Sequence, residues 1–347
     1  MPAPAIVKGD LHFNSLLFSG TGGSSSKTGL GFSPDVVWIK RRSSSTDWGW
    51  FDVQRGVQKN IKKNKAESES TETNGLTAFG SDGFTVGSSG DYNGSSGSFC
   101  SWNWYANDTE TNNTGTLTGA TINKNVAAGF SLVKYAGSSS GSKTVGHGLG
   151  KTLDWIIIKN TSEGRGFFVY HNAMTGGNYY MRVDQEDAQQ AGDVFNNTAP
   201  TSSVFSIQDP GSLNTNGSGD NFIAMCFASI DGYSRFGRYT GNGSSNGPMV
   251  YTGFEPAMII VKCVSNGSTN WCIIDNKRDT ENERDDTLFL DSSSGGSTSG
   301  FDVDFNANGF KVRNTDGDMN TNGRTYLYSA WARRPFIGDG TNPLPAN

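Results

Sequence analysis

The sequence predicts an all-β protein made of three tandem antiparallel β-sandwich-like repeats, and three observations lead to this prediction. First, a ten-residue string occurs three times, as GFSPDVVWIK (31–40), GKTLDWIIIK (150–159) and GFEPAMIIVK (253–262). Second, 46 of the 347 residues are glycine, and short aromatic and β-branched runs alternate with clusters of Gly, Ser and Asn. Third, the chain contains no long heptad or amphipathic helical pattern.

The spacing of the three strings sets the predicted domain boundaries. A period of roughly 100 to 120 residues is too long for a solenoid repeat or a propeller blade, but it suits tandem small domains. We therefore expect a first repeat over residues 1–110, a second over 127–232, and a third with a short tail over 233–347. Residues 111–126 are polar and rich in Thr and Asn, which predicts a linker that could contribute one strand at 116–122.

Each repeat is expected to contain the same elements in the same order. A short strand ending in a Gly-rich turn comes first (16–20, 132–137 and 236–243), and the apolar strand that stops at a lysine follows it. A loop rich in turn residues then leads to a second strand with a polar end (50–52, 169–171 and 273–275), which predicts a hairpin. Strands at 79–86, 204–207 and 305–312, Asn-Gly turns at Asn93, Asn216 and Asn322, and a closing aromatic strand (99–104, 222–227 and 326–331) complete the unit.

Two of the lysine-ended strands are continuously apolar, at 156–158 and 258–261, whereas a strand with one wet face alternates. Both faces of these strands should therefore be covered. The cover could be another sheet of the same repeat, a neighbouring repeat or a second subunit. We expect an oligomer, with a homotrimer as the leading prediction.

Charge and hydropathy exclude several classes of protein. A net charge of −5, from 28 basic and 33 acidic residues, gives no electrostatic footprint for nucleic acid. The N-terminus lacks the apolar run of a signal peptide, and no stretch approaches the ~18 apolar residues of a membrane helix. We therefore expect no nucleic-acid partner, no membrane insertion, and synthesis in a cytoplasm.

The four cysteines, at positions 100, 226, 263 and 272, have no CxxC spacing. This pattern predicts buried thiols for a protein made in a cytoplasm. The alternative is a pair between Cys263 and Cys272, which lie on the two arms of a predicted hairpin.

No segment combines a nucleophile, a base and an orienting group at a spacing that suits catalysis. Asp52 and Asp275 could serve as glycosidase carboxylates, but each precedes an arginine by three residues at matched positions, which favours a local ion pair. The acidic stretches 279–286 and 316–318 could hold calcium, yet neither follows the EF-hand order, so solvated loops are favoured. We expect no enzymatic activity, no metal and no cofactor.

Aromatic residues in polar loops are better candidates for function. Trp48, Tyr92 and Tyr179 each stand among Gly, Asn, Asp or Thr residues, so each could offer a flat apolar face beside hydrogen-bonding groups. That combination suits contacts with a sugar or with a protein receptor. The alternative is that the three rings pack on their own sheets.

The repeated motifs carry a family resemblance over about residues 12–336. The Gly-Phe-x-Pro turn with its apolar strand to lysine, the Asn/Asp-Gly-Phe-x-Val string, Tyr-Thr-Gly-Asn-Gly and the closing aromatic strand recur in order. They resemble a repeated domain of unknown function in virion proteins, tail-fibre or capsid-associated, of marine and freshwater tailed phages such as cyanophages and pelagiphages. The middle copy departs from the pattern, because it has Gly148-Leu149-Gly150-Lys151 in place of the Gly-Phe-x-Pro turn and His171 in place of the aspartate.

The resemblance implies a structural protein on the external surface of a phage particle, with no catalytic residues. A tail fibre or receptor-binding protein for host attachment is the leading interpretation. Its partners would be other virion proteins of the tail or capsid and a glycan or protein on the host cell surface. The resemblance to phage fibres also implies a trimer, which agrees with the expected homotrimer. The alternatives are a capsid decoration or head-fibre protein and a polysaccharide depolymerase.

Overall fold

The fold is described from a computed structural model, which describes residues 6 and 8–334 apart from 107, 139, 140, 177 and 210. In that part of the chain we find 27 strands, one α-helix of four residues and two short 3-10 helices, Gly9–Leu11 and Gly211–Leu213. Every strand pairing is antiparallel, which the short Gly-rich connections favour. The predicted all-β class is confirmed.

The strands fall into three groups that follow the repeated strings. The first group is β1 Phe13–Ser19, β2 Ser25–Thr28, β3 Val36–Arg41, β4 Gly49–Asp52, β5 Lys59–Lys62, β6 Ser70–Thr71, β7 Leu76–Gly80, β8 Gly83–Val86, α1 Gly90–Asn93 and β9 Ser98–Trp104. The second is β10 Asp108–Asn112, β11 Ala120–Asn125, β12 Phe130–Ala136, β13 Lys143–Gly146, β14 Trp155–Asn160, β15 Phe167–His171, β16 Tyr179–Arg182, β17 Gln190–Ala191, β18 Val204–Ile207 and β19 Asn221–Phe227. The third is β20 Ser234–Thr240, β21 Met249–Tyr251, β22 Glu255–Cys263, β23 Cys272–Asp275, β24 Leu288–Phe289, β25 Val303–Asn306, β26 Gly309–Val312 and β27 Thr325–Arg334.

The same strand order recurs in the three groups, which we call the first, second and third repeats. An opening strand (β1, β12, β20) pairs with the closing strand (β9, β19, β27), which pairs with the lysine-ended central strand (β3, β14, β22). The hairpin strand (β4, β15, β23) comes next in each main sheet. A small second sheet accompanies each main sheet, in the orders β2-β8-β7, β13-β18 and β21-β26-β25.

Residues 111–126, predicted as a linker that could contribute one strand, contain one complete strand. Strand β11 lies at Ala120–Asn125 rather than at 116–122, and it pairs with β10 on one side and with β12 on the other. We call residues 108–125 the arm. The arm adds two strands to the second main sheet, and Asn123 on it donates to the Asp35 carboxylate of the first repeat at 3.0 Å. Polar Thr and Asn residues suit both loops and edge strands, so composition alone does not predict that these strands extend the second main sheet.

The three repeats close into a ring through one backbone hydrogen bond that occurs at each junction. The N–H of Glu69 donates to the carbonyl of Thr161 at 2.9 Å, that of Gln189 to Val264 at 3.1 Å, and that of Gly296 to Arg42 at 3.2 Å. Each acceptor lies two residues after a repeat's central lysine. The first repeat thus contacts the second, the second contacts the third, and the third returns to the first.

Three aromatic residues at matched positions of the closing strands meet in the middle of the ring. Trp104, Phe227 and Trp331 form a triangle whose ring centroids are 6.3, 6.2 and 5.5 Å apart. Aromatic pairs at such separations add to the stabilisation that comes from burying their area. They belong to one continuous core that draws residues from all three repeats, while a second core lies within the first repeat alone.

Neighbouring repeats supply cover for the continuously apolar strands. Trp155 on β14 contacts Trp331 at 5.8 Å and Phe236 at 6.0 Å, both in the third repeat. Strand β22 contacts β25 and β26 of its own small sheet. Both faces of these strands are therefore covered within one chain. The homotrimer remains a prediction, but the apolar strands no longer support it.

The lysine that ends each central strand is fully buried and donates its ammonium protons to carbonyl groups. Lys40 donates to Thr46 and to Ser293 of the third repeat, both at 2.9 Å. Lys262 donates at 3.0 Å to Glu186 of the second repeat and also to Thr269, and Lys159 donates to Arg165. Burial lowers the pKa of Lys40 and of Lys159 to about 8, because leaving water disfavours the charged form.

We expect the stability advantage of the wild type over Lys40→Met to widen as the pH rises from 7.5 to 10. The unfolded chain holds the lysine proton up to a pKa of roughly 10.4, but folded Lys40 releases it near 8, so the unfolded state binds more protons in between. The free energy of unfolding then rises with pH, by up to ~3 kcal/mol for the full shift. Urea unfolding at both pH values measures the difference.

The exposed Lys151 provides the control. An exposed ammonium loses little hydration on folding, so the gap between the wild type and Lys151→Met should be similar at both pH values. A gap for Lys40→Met that does not change with pH would contradict the prediction.

Candidate functional site

A polar loop follows each opening strand, at the end of the main sheet where the closing strand starts. These loops are residues 20–24, residues 137–138 with 141–142, and residues 241–247, and we call the three loops together the loop end. The central lysines and the starts of the closing strands lie at the same end, because Ser19 pairs with Ser98 and Thr240 with Thr325. Gly, Ser, Asn and Thr make up the whole loop end.

A buried asparagine at a matched position holds each loop. The side-chain oxygens of Asn93, Asn216 and Asn320 accept from the backbone N–H of Thr21, Ser138 and Asn242 at 3.0, 2.9 and 2.9 Å. Their amide groups donate to loop carbonyls, namely those of Gly23, Gly141 and Ser244. Because a buried amide needs its partners, these bonds fix the loop conformation before any ligand arrives.

Of the three predicted Asn-Gly turns, the one at Asn322 is present, where Asn322 and Gly323 form a turn with Gly323 at φ +76°. Asn93 ends helix α1 and does not lie at a hairpin turn. In the third repeat the residue that holds the loop is Asn320, two positions before the predicted Asn322. The first residue of the loop has no room for a side chain. A Cβ on Gly20 would overlap the Gly94 carbonyl, and one on Gly137 would overlap that of Gly217.

Trp48 does not offer the open ring face that the sequence suggested. Its side chain is fully buried between the first and third repeats, and its indole N–H donates to the carbonyls of Phe289 at 2.9 Å and Ser292 at 3.1 Å. Trp271, at the matched position of the third repeat, donates in the same way to Arg182 of the second repeat at 2.9 Å. The sequence signal for this buried position was the recurrence of tryptophan at equivalent positions, Trp48 in the first repeat and Trp271 in the third.

Tyr92 is also buried, which corrects the expectation of an open ring. It packs edge-on against Phe51 in the core of the first repeat, and its hydroxyl accepts from Asn60 at 2.8 Å. Burial raises the pKa of this hydroxyl. Tyr179 is half-buried on β16 and packs against the shared core. The structure brings none of the three residues together, and none is part of the three polar loops, although Tyr92 directly precedes Asn93, which holds the first loop.

One tyrosine and one methionine are the most exposed large apolar residues in the described part of the chain, and the sequence analysis did not identify them. Tyr251 is 57% exposed and Met249 46% exposed, and both lie on edge strand β21 of the third small sheet. The guanidinium carbon of Arg235 lies 5.8 Å from the centroid of the Tyr251 ring. The alternation of Met249, buried Val250 and Tyr251 was the available signal, because side chains of a strand point to opposite faces in turn.

The two matched carboxylates form the predicted ion pairs. The carboxylate of Asp52 accepts from the Arg55 guanidinium at 2.6 Å, and Asp275 accepts from Arg278 at 2.6 Å, with both aspartates fully buried. In the second repeat His171 takes this position, its Nε2 lies 3.2 Å from the carbonyl of Tyr328, and burial lowers its pKa to about 4. Side chains held in this way are structural parts of the junctions between repeats.

The four cysteines are free and buried, so Cys263 and Cys272 do not pair. Among the described residues no group of three or more His, Cys, Asp or Glu side chains is arranged to hold a metal ion. The acidic turn instead binds backbone and amide groups of its own chain, as in the bond from the Asn270 amide to Asp318 at 2.8 Å. No helix in the described part of the chain has the length and hydropathy needed to span a membrane.

A family model described as a domain of unknown function, DUF7483, matches residues 8–335, and the chain belongs to this family. The strands of all three repeats, from β1 to β27, lie within this one match. No curated protein and no solved structure matches the chain.

We expect Trp48→Phe to lower the free energy of unfolding by about 1–3 kcal/mol more than Trp50→Phe does. Both tryptophans are fully buried, so the loss of ring volume is common to both changes. Only the Trp48 indole has hydrogen-bond partners, since the N–H of Trp50 has none. Phe167, at the position of Trp48 in the second repeat, indicates that a phenyl ring fits there.

Urea unfolding of the two variants beside the wild type measures the difference. Equal losses of stability would contradict the role assigned to the Trp48 indole. A larger loss for Trp50→Phe would contradict it as well.

Proposed function

We propose that this chain is a non-enzymatic structural protein on the outer surface of a phage particle, and that it contacts the host cell through the loop end. The observation that carries the proposal is the arrangement of the ring. A matched polar loop follows the opening strand of each repeat, at the end of the main sheet where the central lysine lies. The virion motifs in the sequence support the same interpretation.

The opposite end, which we call the far end, holds the start of β1 and the end of β27. A Cβ on Gly9 would lie 3.1 Å from the carbonyl oxygen of Ala332, so the two ends of the described chain are adjacent. Strand β27 runs from Thr325 at the loop end to Arg334 at the far end. We propose that other virion proteins contact the far end, which would leave the loop end free to face a host surface.

The composition and support of the loops suit recognition. Ser, Gly and Asn provide adaptable hydrogen-bonding groups in binding loops, and pre-ordered loops lose less conformational entropy when a ligand binds. Asn93, Asn216 and Asn320 provide that order. Three loops on one rigid ring could also add weak contacts through avidity, provided that the spacing of host sites allows it.

The carboxylates favour binding over hydrolysis. A glycosidase needs two carboxyl groups that face one sugar. Asp52 and Asp275 are fully buried and each is held by an arginine, so neither is free to reach a substrate. This argues against the depolymerase alternative.

The test adds bulk and positive charge to the loop end at three exposed serines whose side chains make no hydrogen bond to the residues that the structure describes. We expect the combined variant Ser24→Arg, Ser142→Arg and Ser245→Arg to bind cells of the infected strain at least tenfold more weakly than the wild type. The substituted groups are exposed, so stability should change little. Binding of fluorescently labelled protein to cells, measured by flow cytometry, gives the ratio.

A matched variant carries the same charges at the far end, as Ser33→Arg, Val126→Arg and Thr152→Arg, all exposed positions. It should bind cells as the wild type does. Equal binding by both variants would exclude the loop end as the contact surface. Particles that lack the protein but adsorb normally and lose head stability would instead favour the capsid decoration role.

A further inference from the structure

The second and third repeats differ at one side of the sandwich. Opening strands β12 and β20 occupy equivalent positions in their sheets. Lys134 pairs with Ile223 of the closing strand in the second repeat, as Arg238 pairs with Leu327 in the third. Strand β12 is paired on its outer side by β11 of the arm. Strand β20 is the edge of its sheet, with no strand of the described chain on its outer side.

The outer side of β20 has backbone groups that are free to pair. The N–H of Gly241 donates to Arg324, so alternate residues Tyr239, Gly237 and Arg235 bond to β27. The N–H and carbonyl groups of Phe236 and Arg238 therefore point outward. In the second repeat the matched residues, Leu132 and Lys134, pair with Asn123 and Thr121 of the arm.

An exposed aromatic and two arginines flank this free edge. Tyr251 on β21 approaches Arg235 on β20, so the two side chains meet across the gap between the main and small sheets. Arg235 and Arg238 are exposed, and neither forms an ion pair with the described residues. In the first repeat the corresponding gap is closed by Lys27, which lies 4.7 Å from the Phe18 ring centroid and donates to Ser19.

The geometry points to β20 as a docking edge for an extended acidic segment of another protein, which would add to the third main sheet as β11 adds to the second. Added strands of this kind gain affinity from main-chain hydrogen bonds and specificity from flanking side chains. The acidic character follows from register. Thr121 faces Lys134 and Lys124 faces Ser131 in the second repeat, and Arg238 and Arg235 take the places of Lys134 and Ser131 in the third.

Tyr251 sets a further condition on the segment. The matched residue of the second repeat is Gly146, where a Cβ would overlap Asn112 of the arm. In the third repeat the Tyr251 side chain fills part of the space that Asn112 of the arm occupies in the second repeat. A two-stranded hairpin placed like the arm would therefore not fit. A single extended strand that packs an apolar side chain on the Tyr251 ring would fit. The inference does not depend on the proposed host contact at the loop end.

Two peptides in trans test the docking edge on the full chain. One has the sequence of residues 118–127, and the other has the same sequence with Thr121→Glu and Lys124→Glu. The acidic peptide should bind the wild type at least tenfold more tightly by fluorescence anisotropy, because its glutamates meet Arg238 and Arg235. The double variant Arg235→Glu and Arg238→Glu should reverse this preference, and Tyr251→Ala should weaken the acidic peptide at least threefold.

Matched substitutions in the first repeat control for charge alone. Leu17→Glu lies at the position that corresponds to Arg238, and it should leave the preference for the acidic peptide unchanged. Equal affinity of the two peptides for the wild type would overturn the proposal, as would an unchanged preference after the arginine reversal. Saturable binding of an acidic oligosaccharide such as oligosialic acid at Tyr251, with no binding of the acidic peptide, would overturn it in favour of a sugar site.

Discussion

The buried lysine at the end of each central strand is the interaction on which the ring depends. A lysine ammonium is costly to bury unless its protons find acceptors, and the acceptors here are groups of its own hairpin and, for Lys40 and Lys262, carbonyls of the preceding repeat. Lys40 and Lys262 bind both, at Thr46 with Ser293 and at Thr269 with Glu186. Lys40 and Lys262 therefore each lie near the end of an apolar strand, hold the hairpin that follows and join one repeat to the next.

The three junctions keep their backbone bonds while their side chains have diverged. The position of Trp48 is occupied by Phe167 in the second repeat and by Trp271 in the third. In each repeat the backbone N–H at this position donates to a side-chain oxygen, that of Asn64, Asp184 or Asp291. Positions that match across repeats therefore act in the ring itself. The features that differ, namely the loop sequences, the arm and the exposed Tyr251, are the places where one repeat can do something that the others do not.

Local elements could be predicted from the sequence, but their mutual packing could not. Strand order, the lysine-ended strands and the Asp52–Arg55 and Asp275–Arg278 pairs follow from spacing and composition within a few residues. The burial of Trp48 depends on Phe289, 241 residues away, and no local pattern reveals such a contact. Aromatic residues among polar neighbours look the same whether the polar groups face solvent or a second repeat, which is why Trp48 and Tyr92 were misplaced and Tyr251 was missed.

Closure of the ring has a consequence for how the chain folds. The bond from Lys40 to Ser293 joins residues that are 253 positions apart, and the aromatic triangle needs a strand from each repeat. During synthesis the first repeat must therefore wait, with its junction surface exposed, until the third has left the ribosome. Contacts of such long sequence separation slow folding and prolong the time in which strand edges can aggregate. High-level expression of this protein should accordingly benefit from slow synthesis or added chaperones more than its final stability would suggest.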